Sequence, residues 1–376
     1  MSEHNVFSTE ELNQRLSNVR SQMVETNVDG VVITIPENIY YLTELDHWGF
    51  FACHLLVVPR EGAMILVCRA MERITIENQV KNARFFGHAD HEDPADYIVS
   101  ALSELGLLNS RIGMEKSSLF LTARLAESIQ AKTPKVEWHD TSNLVSALRM
   151  VKSPLEMEYV RKAAKAADAG MLAAINATRD GASDYEVAAE CSRAMILAGS
   201  EYPGFGPFVR PTSRLGEEHT TWRGEVFRNG EAVFLEIAAA YRKYQAPMGR
   251  LVYVGNAPDG AEKSAQLAID GMKAINSAIK SGAKAGDAIM TGTEGEQWPI
   301  PAEKFAQTYD DLGDGTASKK NIPVFAKEMS EPFQVKVSWS DDLLQGAPGD
   351  YLVQYGPGDY GVVGREIFGK TYETPI

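Results

Sequence analysis

Residues 216–255 read GEEHTTWRGEVFRNGEAVFLEIAAAYRKYQAPMGRLVYVG. Within them Val233-Phe234-Leu235-Glu236-Ile237-Ala238 is an apolar strand with a carboxylate at its centre. Side chains alternate across a strand, so Phe234, Glu236, Ala238 and Ala240 share one face while Val233, Leu235 and Ile237 share the other. An ionised carboxylate on a half-buried face is costly unless it is paired or put to use. Two readings follow from the residues alone. Glu236 forms a structural ion pair with Arg242 or Arg250, or it is a catalytic carboxylate served by His219, the last histidine in the chain.

Outward from this stretch, the 376 residues suffice for two or three domains. Hydrophobic residues make up 44% and charged residues 23%, as in ordinary globular proteins. The net charge of -14 repels a phosphate backbone, and no basic stripe offsets it, so nucleic acid is excluded as a partner. Neither a signal-peptide core nor a run of membrane-spanning length is visible, so no membrane association is expected. Cys53, Cys68 and Cys191, widely spaced among apolar residues, read as reduced core thiols of a cytoplasmic protein and not as a disulfide frame or zinc site.

Towards the N-terminus, Leu12, Leu16, Val19 and Met23 predict an amphipathic helix over about residues 9–26. Asp29-Gly30 turns into a strand at residues 31–35, and a hairpin joins residues 54–58 to 64–68. Alternating helix and strand signals continue to about residue 150, which predicts an α/β layer domain. The cluster His88-Ala89-Asp90-His91-Glu92-Asp93 has metal-ligand residue types but no periodicity to converge them, so it reads as a solvated loop, with a metal site as the alternative. Ser153-Pro154-Leu155-Glu156 is a strong helix start, and the helix to about Thr178 is expected to turn Met157, Val160, Ala164, Ala167, Met171, Leu172 and Ile175 to a core. Ser183-Asp184-Tyr185-Glu186 opens a second helix, ended by Gly199, and Ala261 to Lys280 a third.

From Gly286 the chain repeats itself at an offset of 63 residues: Gly286-Asp287 with Gly349-Asp350, Glu303 with Glu366, Phe305 with Phe368, and Thr308-Tyr309 with Thr371-Tyr372. This predicts two copies of a short β-rich unit, with Gly313 to Lys320 as linker and the preceding helix standing in for one segment of the first copy.

Pro36-Glu37-Asn38-Ile39-Tyr40-Tyr41-Leu42, Val151-Lys152-Ser153-Pro154-Leu155-Glu156, His219-Thr220-Thr221-Trp222, Phe234-Leu235-Glu236-Ile237 and Tyr244-Gln245-Ala246-Pro247-Met248-Gly249-Arg250 together resemble the creatinase and aminopeptidase P group, most of all its ectoine hydrolase-like members, from about residue 7 to 288. The resemblance implies an α/β creatinase-like domain over 1–150 and an α+β partial pita-bread domain over 151–285. Small β-rich repeats over 286–376 resemble the PGDYG domain, through Pro348-Gly349-Asp350-Tyr351-Leu352 and Pro357-Gly358-Asp359-Tyr360-Gly361. Dimetal members of the group carry two aspartates where this chain has Glu236 and Pro247, so no metal and no cofactor is expected. Metal-free members imply a hydrolase of carbon–nitrogen bonds, amide or amidine, in a small molecule. In that scheme His219 and Glu236 are catalytic and Arg250, Tyr244 and Trp222 bind substrate.

The group's second catalytic half is replaced at residues 282–288, and no histidine follows His219. A half domain leaves a sheet edge and helix faces to be covered by the C-terminal repeats or by a partner chain. The resemblance also implies a homodimer, to which Trp48, Phe50 and Phe51 could contribute, although aromatics of this kind are more often core. Two alternatives stand beside the hydrolase: an inactive fusion serving as a binding or association module, and an Xaa-Pro peptidase-like metalloenzyme.

Overall fold

Ser8 accepts the backbone N–H of Glu11 and starts helix α1 (Thr9–Glu25), whose spacing turns Val19 and Met23 inward as expected. The computed structural model describes residues 6–47, 52–279, 288–291, 297–300, 302–312, 317–320, 324–336, 343–356 and 358–372. The aromatic run Trp48, Phe50 and Phe51 lies outside the described residues. Strand β1 (Gly30–Ile33) leads to α2 (Pro36–Thr43), which begins at a proline, and β2 (Leu55–Pro59) and β3 (Met64–Arg69) form the expected hairpin. There follow α3 (Arg73–Gln79), β4 (Ala83–His88), α4 (Pro94–Glu104), β5 (Arg111–Met114), α5 (Ala123–Lys132), β6 (Glu137–Asp140) and α6 (Leu144–Leu148).

These strands form one six-stranded sheet in the order β4-β3-β2-β1-β5-β6. The β1–β2 and β2–β3 pairs are antiparallel and the other pairs are parallel. Alternation divides the apolar runs between two cores. Val31, Ile33, Leu56, Val58 and Leu66 meet residues of α1, α2 and α6, while Val32, Leu55, Val57, Ile65 and Val67 meet residues of α4 and α5. Each fully buried aliphatic side chain contributes about 1.5–3 kcal/mol, so the two-sided sheet is the principal source of this region's stability.

The cluster at residues 88–93 is a local brace. Asp90 pairs with Arg69 at 2.7 Å, and Glu92 accepts the Ala89 N–H and the Tyr97 hydroxyl. Asp93 caps α4 through the Ala95 N–H and binds Ser128 and Lys132 of α5. The Lys132 ammonium and the Ala95 N–H hold the Asp93 carboxyl at about 2, below its ordinary range. A depressed folded-state pKa means that the unfolded chain binds the proton first on acidification. The stabilisation is therefore complete above pH ~4 and lost as the pH falls towards 2. Asp93→Ala is expected to cost about 1 kcal/mol at neutral pH, chiefly as a lost cap, and less at pH 3; urea unfolding at the two pH values checks this.

Ser153 and Glu156 form the predicted capping box at the start of α7 (Pro154–Ala177), and Ser183 caps α8 (Asp184–Leu197). The buried face of α7 differs from the expected one. Tyr159, Ala163, Ala166, Ala167, Gly170, Met171 and Ala174 are buried, whereas Leu172 is exposed. The cause is close helix packing: a Cβ on Gly170 would stand 2.3 Å from Cγ of Met195 on α8, so small residues, not the large apolar ones, line the contact. Strands β7 (Phe208–Pro211), β8 (Ala232–Tyr241) and β9 (Tyr244–Tyr253) form an antiparallel sheet against these helices. The two-residue turn between β8 and β9 is Arg242-Lys243, with φ of 51° and 66°. Both angles are positive, the pattern of a type I′ turn that normally selects Asn or Gly.

A buried joint ties these helices and strands to the N-terminal layer. The Arg15 guanidinium donates to the Tyr41 carbonyl and to Glu11, lies 3.7 Å from the centre of the Phe7 ring, and stands 3.7 Å from the Glu156 carboxylate. Glu156, 3% exposed, also accepts the Ser153 N–H at 2.7 Å and the Tyr244 hydroxyl at 2.6 Å. Burial, together with the bond to Glu156, pushes the Tyr244 phenol well above its ordinary pKa. Lys243, in the β8–β9 turn, reaches Asp46 at 2.7 Å and the His47 carbonyl at 3.0 Å.

The chain divides into two compact units, Met1–Ala257 and Pro258–Ile376. The second begins with α9 (Ala261–Ala278), followed by β10 (Ala288–Thr291), β11 (Gln297–Ile300), α10 (Ala302–Thr308), β12 (Tyr309–Asp311), β13 (Ala317–Lys319), β14 (Phe325–Glu328), β15 (Phe333–Lys336), β16 (Leu343–Gly346), β17 (Tyr351–Gly356), β18 (Asp359–Val363) and α11 (Arg365–Thr371). The β10–β11 hairpin pairs Ala288 with Ile300 and Thr291 with Gln297; the β17–β18 hairpin pairs Tyr351 with Val363 and Gln354 with Tyr360. Both hairpins lead into a seven-residue helix, α10 or α11, and Phe305 stacks on Tyr309 as Phe368 stacks on Tyr372. Strand register and helix thus recur at the sequence offset. Part of the expected linker departs from that reading, because Ala317–Lys319 is a strand paired with Tyr309–Asp311.

Candidate functional site

Register decides which side chains surround Glu236. Phe208 of β7 pairs with Glu236, Arg210 pairs with Phe234, and Gly249 of β9 lies opposite Glu236 on the other side. Directly paired residues of antiparallel strands share a face. Phe208, Arg210, Phe234, Glu236, Ala238, Pro247, Gly249 and Leu251 therefore form one face. Val209, Val233, Leu235 and Ile237 point the other way, into the core with α7 and α8. Gly249 leaves room for the Phe234 ring, which a Cβ there would meet at 3.3 Å.

Glu236 is half-buried, and its carboxylate makes no hydrogen bond or ion pair with another described residue. The structural pairing with Arg242 or Arg250 is not formed. Arg250 pairs in register with Leu235, which sends its side chain to the opposite face, where it is exposed. Arg250 is thus corrected from a neighbour of Glu236 to a surface residue.

His219 sits on the loop between β7 and β8, exposed, with a backbone φ of 50°. Its ring packs against Phe208 with centroids 5.3 Å apart, and Phe208 in turn stacks on Phe205 at 5.2 Å. No hydrogen bond joins His219 to Glu236. Phe208 is common to both, as the ring that His219 packs on and as the residue paired in register with Glu236.

Two buried arginines hold this loop. Arg210, 4% exposed, donates from Nη1 to the carbonyls of Leu215 (3.3 Å) and Glu217 (2.6 Å), pairs with the Glu218 carboxylate at 2.9 Å, and lies 4.6 Å above the Phe234 ring centre. Arg214, 3% exposed, donates to Thr220 Oγ1 and to the Thr221 carbonyl. Beyond the loop, fully buried Asp184 accepts the N–H groups of Arg223 and Gly224, each at 2.8 Å.

Tyr244 and Trp222 each have a partner within the fold. Tyr244 lies opposite Tyr241, five residues along β8 from Glu236 or about 17 Å, and is committed to the buried joint. The Trp222 indole N–H donates to the Pro207 carbonyl at 2.7 Å while its ring packs on the α7–α8 core, so it fastens the loop. The sequence alone does not single out Phe208, Arg210 or Arg214. The available signal was Phe208-Val209-Arg210-Pro211, a short alternating strand just before the histidine.

No group of three histidine, cysteine or acidic side chains converges among the described residues. On the Glu236 face, Pro247 stands opposite Ala238 and offers no donor atom. The described residues do not fit a dinuclear metal centre, and no chemical step is routed through one. No helix among them is long and apolar enough to cross a membrane.

Comparison with known proteins agrees with this architecture. Residues 15–151 match the Creatinase/Prolidase N-terminal domain, and residues 158–291 match Metallopeptidase family M24. Over these two stretches the chain is similar to the creatinase and aminopeptidase P group. An ectoine hydrolase from Halomonas elongata is 28% identical over 303 residues, covering 76% of each chain. A creatinase from a Bacillus species is 26% identical over 190 residues, or 50% of this chain and 46% of that one. Among solved structures, a prolidase from Thermococcus sibiricus superposes with a TM-score of 0.64 at 19% identity over 76% of this chain and 74% of its own, which shows the shared pita-bread fold. Where the creatinase and aminopeptidase P likeness gives out, residues 280–373 match the PGDYG protein family as a single stretch spanning both hairpins and both short helices.

Proposed function

We propose that this protein hydrolyses a carbon–nitrogen bond of a small molecule, amide or amidine, with Glu236 as general base and His219 as general acid. The observation that carries the reading is the Glu236 carboxylate itself, half-buried beside Phe234 and Phe208, without a cation or donor among the described residues to account for it. In this scheme Glu236 takes a proton from water as the oxygen bonds to the substrate carbon. The carbon–nitrogen bond breaks, and protonated His219 gives its proton to the leaving nitrogen. The proton held by Glu236 then returns through solvent to the imidazole, so the net change is addition of one water across the bond. The similarity to ectoine hydrolase and creatinase supports the substrate class. We further propose a homodimer and a cytoplasmic location.

A panel of ectoine, creatine and Xaa-Pro dipeptides, with and without chelator, tests the proposal. Turnover of ectoine or creatine that chelator leaves unchanged is expected. Turnover confined to Xaa-Pro dipeptides and abolished by chelator would instead make the chain a metallopeptidase. A second reading, an association module without turnover, is favoured by the M24 match ending at residue 291, and predicts no reaction with any substrate and a persistent dimer in sedimentation velocity.

A further inference from the structure

We infer that Arg210 and Arg214 are positioning residues, two staples on either side of His219 that hold its imidazole against Phe208; this rests on the proposed role of His219. Three observations converge. His219 has a φ of 50°, a conformation that costs a non-glycine residue of order 1–3 kcal/mol and persists only where its surroundings impose it. Upstream of it, Arg210 binds the carbonyls of residues 215 and 217 and the carboxylate of Glu218. Downstream, Arg214 binds Thr220 and Thr221. The loop is thus tied at positions 215, 217 and 218 and again at 220 and 221, leaving His219 as the residue whose backbone must bend between two fixed ends.

Arg210 also links the loop to the Glu236 face. It occupies the position two residues beyond Phe208 on β7 and lies over Phe234, two residues before Glu236 on β8. Phe208 and Arg210 are successive same-face residues of one strand, one supporting the imidazole and the other the backbone that carries it. Arg210 Nε, Arg214 Nε and Arg214 Nη1 are buried without a hydrogen bond, but Arg214 Nε faces the Glu217 carboxylate at 3.6 Å and Arg214 Nη1 the Glu225 carboxylate at 3.7 Å, which offsets part of that cost.

The test compares Arg210→Met, Arg214→Met and Arg210→Lys in the full chain, with Arg223→Met as the control that loses an exposed ion pair to Glu217. In both buried-arginine methionine variants, amide exchange over residues 215–221 is expected to quicken by about tenfold or more while β8, β9 and α7 keep their protection. On whichever substrate the wild type turns over, kcat is expected to fall about 100-fold with KM changed by less than about threefold, because the imidazole is displaced and not removed. Arg210→Lys keeps the charge but not the fork and is expected to recover part of both losses. Unchanged exchange at 215–221, a rise spread equally over the strands and α7, or a kcat equal to wild type would overturn the inference. Absence of wild-type turnover on the whole panel would count against the hydrolase reading, and exchange alone would then decide whether the staples exist.

Discussion

Glu236→Gln is expected to lower kcat by about 10²–10⁴-fold, and His219→Ala by a similar factor, with melting temperatures within a degree or so of wild type. The direction follows from what each group holds in the fold. The Glu236 carboxylate bonds to no other described residue, and His219 is exposed with only a ring contact to Phe208, so neither change leaves a buried partner stranded. A purely structural carboxylate would behave in the opposite way, losing stability and keeping turnover. If the two act on one proton-transfer path, the double variant should be little worse than either single one. Steady-state kinetics beside thermal melts measure both sides, and full activity in both single variants would end the proposed mechanism.

The second large effect is on stability. Glu156→Ala removes the carboxylate that receives Tyr244 and Ser153 and that faces Arg15, leaving a nearly buried guanidinium with Glu11 as its remaining acidic neighbour. Breaking a buried pair from one side typically costs about 3–5 kcal/mol, and the lost capping box adds to it. The Arg15→Met, Glu156→Met double variant removes both charges and should recover much of the loss, which separates an uncompensated charge from lost packing. Urea unfolding of the wild type, Arg15→Met, Glu156→Met and the double variant gives the coupling directly. A Glu156→Ala loss under about 1 kcal/mol would show that the joint is not built on this pair.

Much of the architecture was legible because it depends on local chemistry. Capping residues at Ser153 and Ser183 placed α7 and α8, and strict alternation in Val233–Ala238 assigned the faces of β8 correctly. The phase of α7 was less legible because packing against Met195 rewards the absence of side-chain atoms, a preference that apolar periodicity does not encode. Arg250 failed for a different reason. It is near Glu236 in sequence, but face membership is set by cross-strand register, and Arg250 falls on the odd side of a ladder in which Glu236 faces Gly249. Tyr244 was claimed by a partner 88 residues earlier, Glu156, which no local pattern could announce. Phe208 and Arg210 were visible as residue types; what gives them meaning is the fold-back of the loop over β7.

The turn at Arg242-Lys243 carries one more implication. Two bulky cations take backbone angles suited to glycine or asparagine, and the second is held by Asp46 and the His47 carbonyl of the N-terminal layer. The hairpin does not encode its own bend; it borrows it from a template some two hundred residues upstream. The first domain therefore acts as a jig for the strand that presents Glu236. On the proposed mechanism, a change at Asp46 would alter turnover from a distance, through the turn alone.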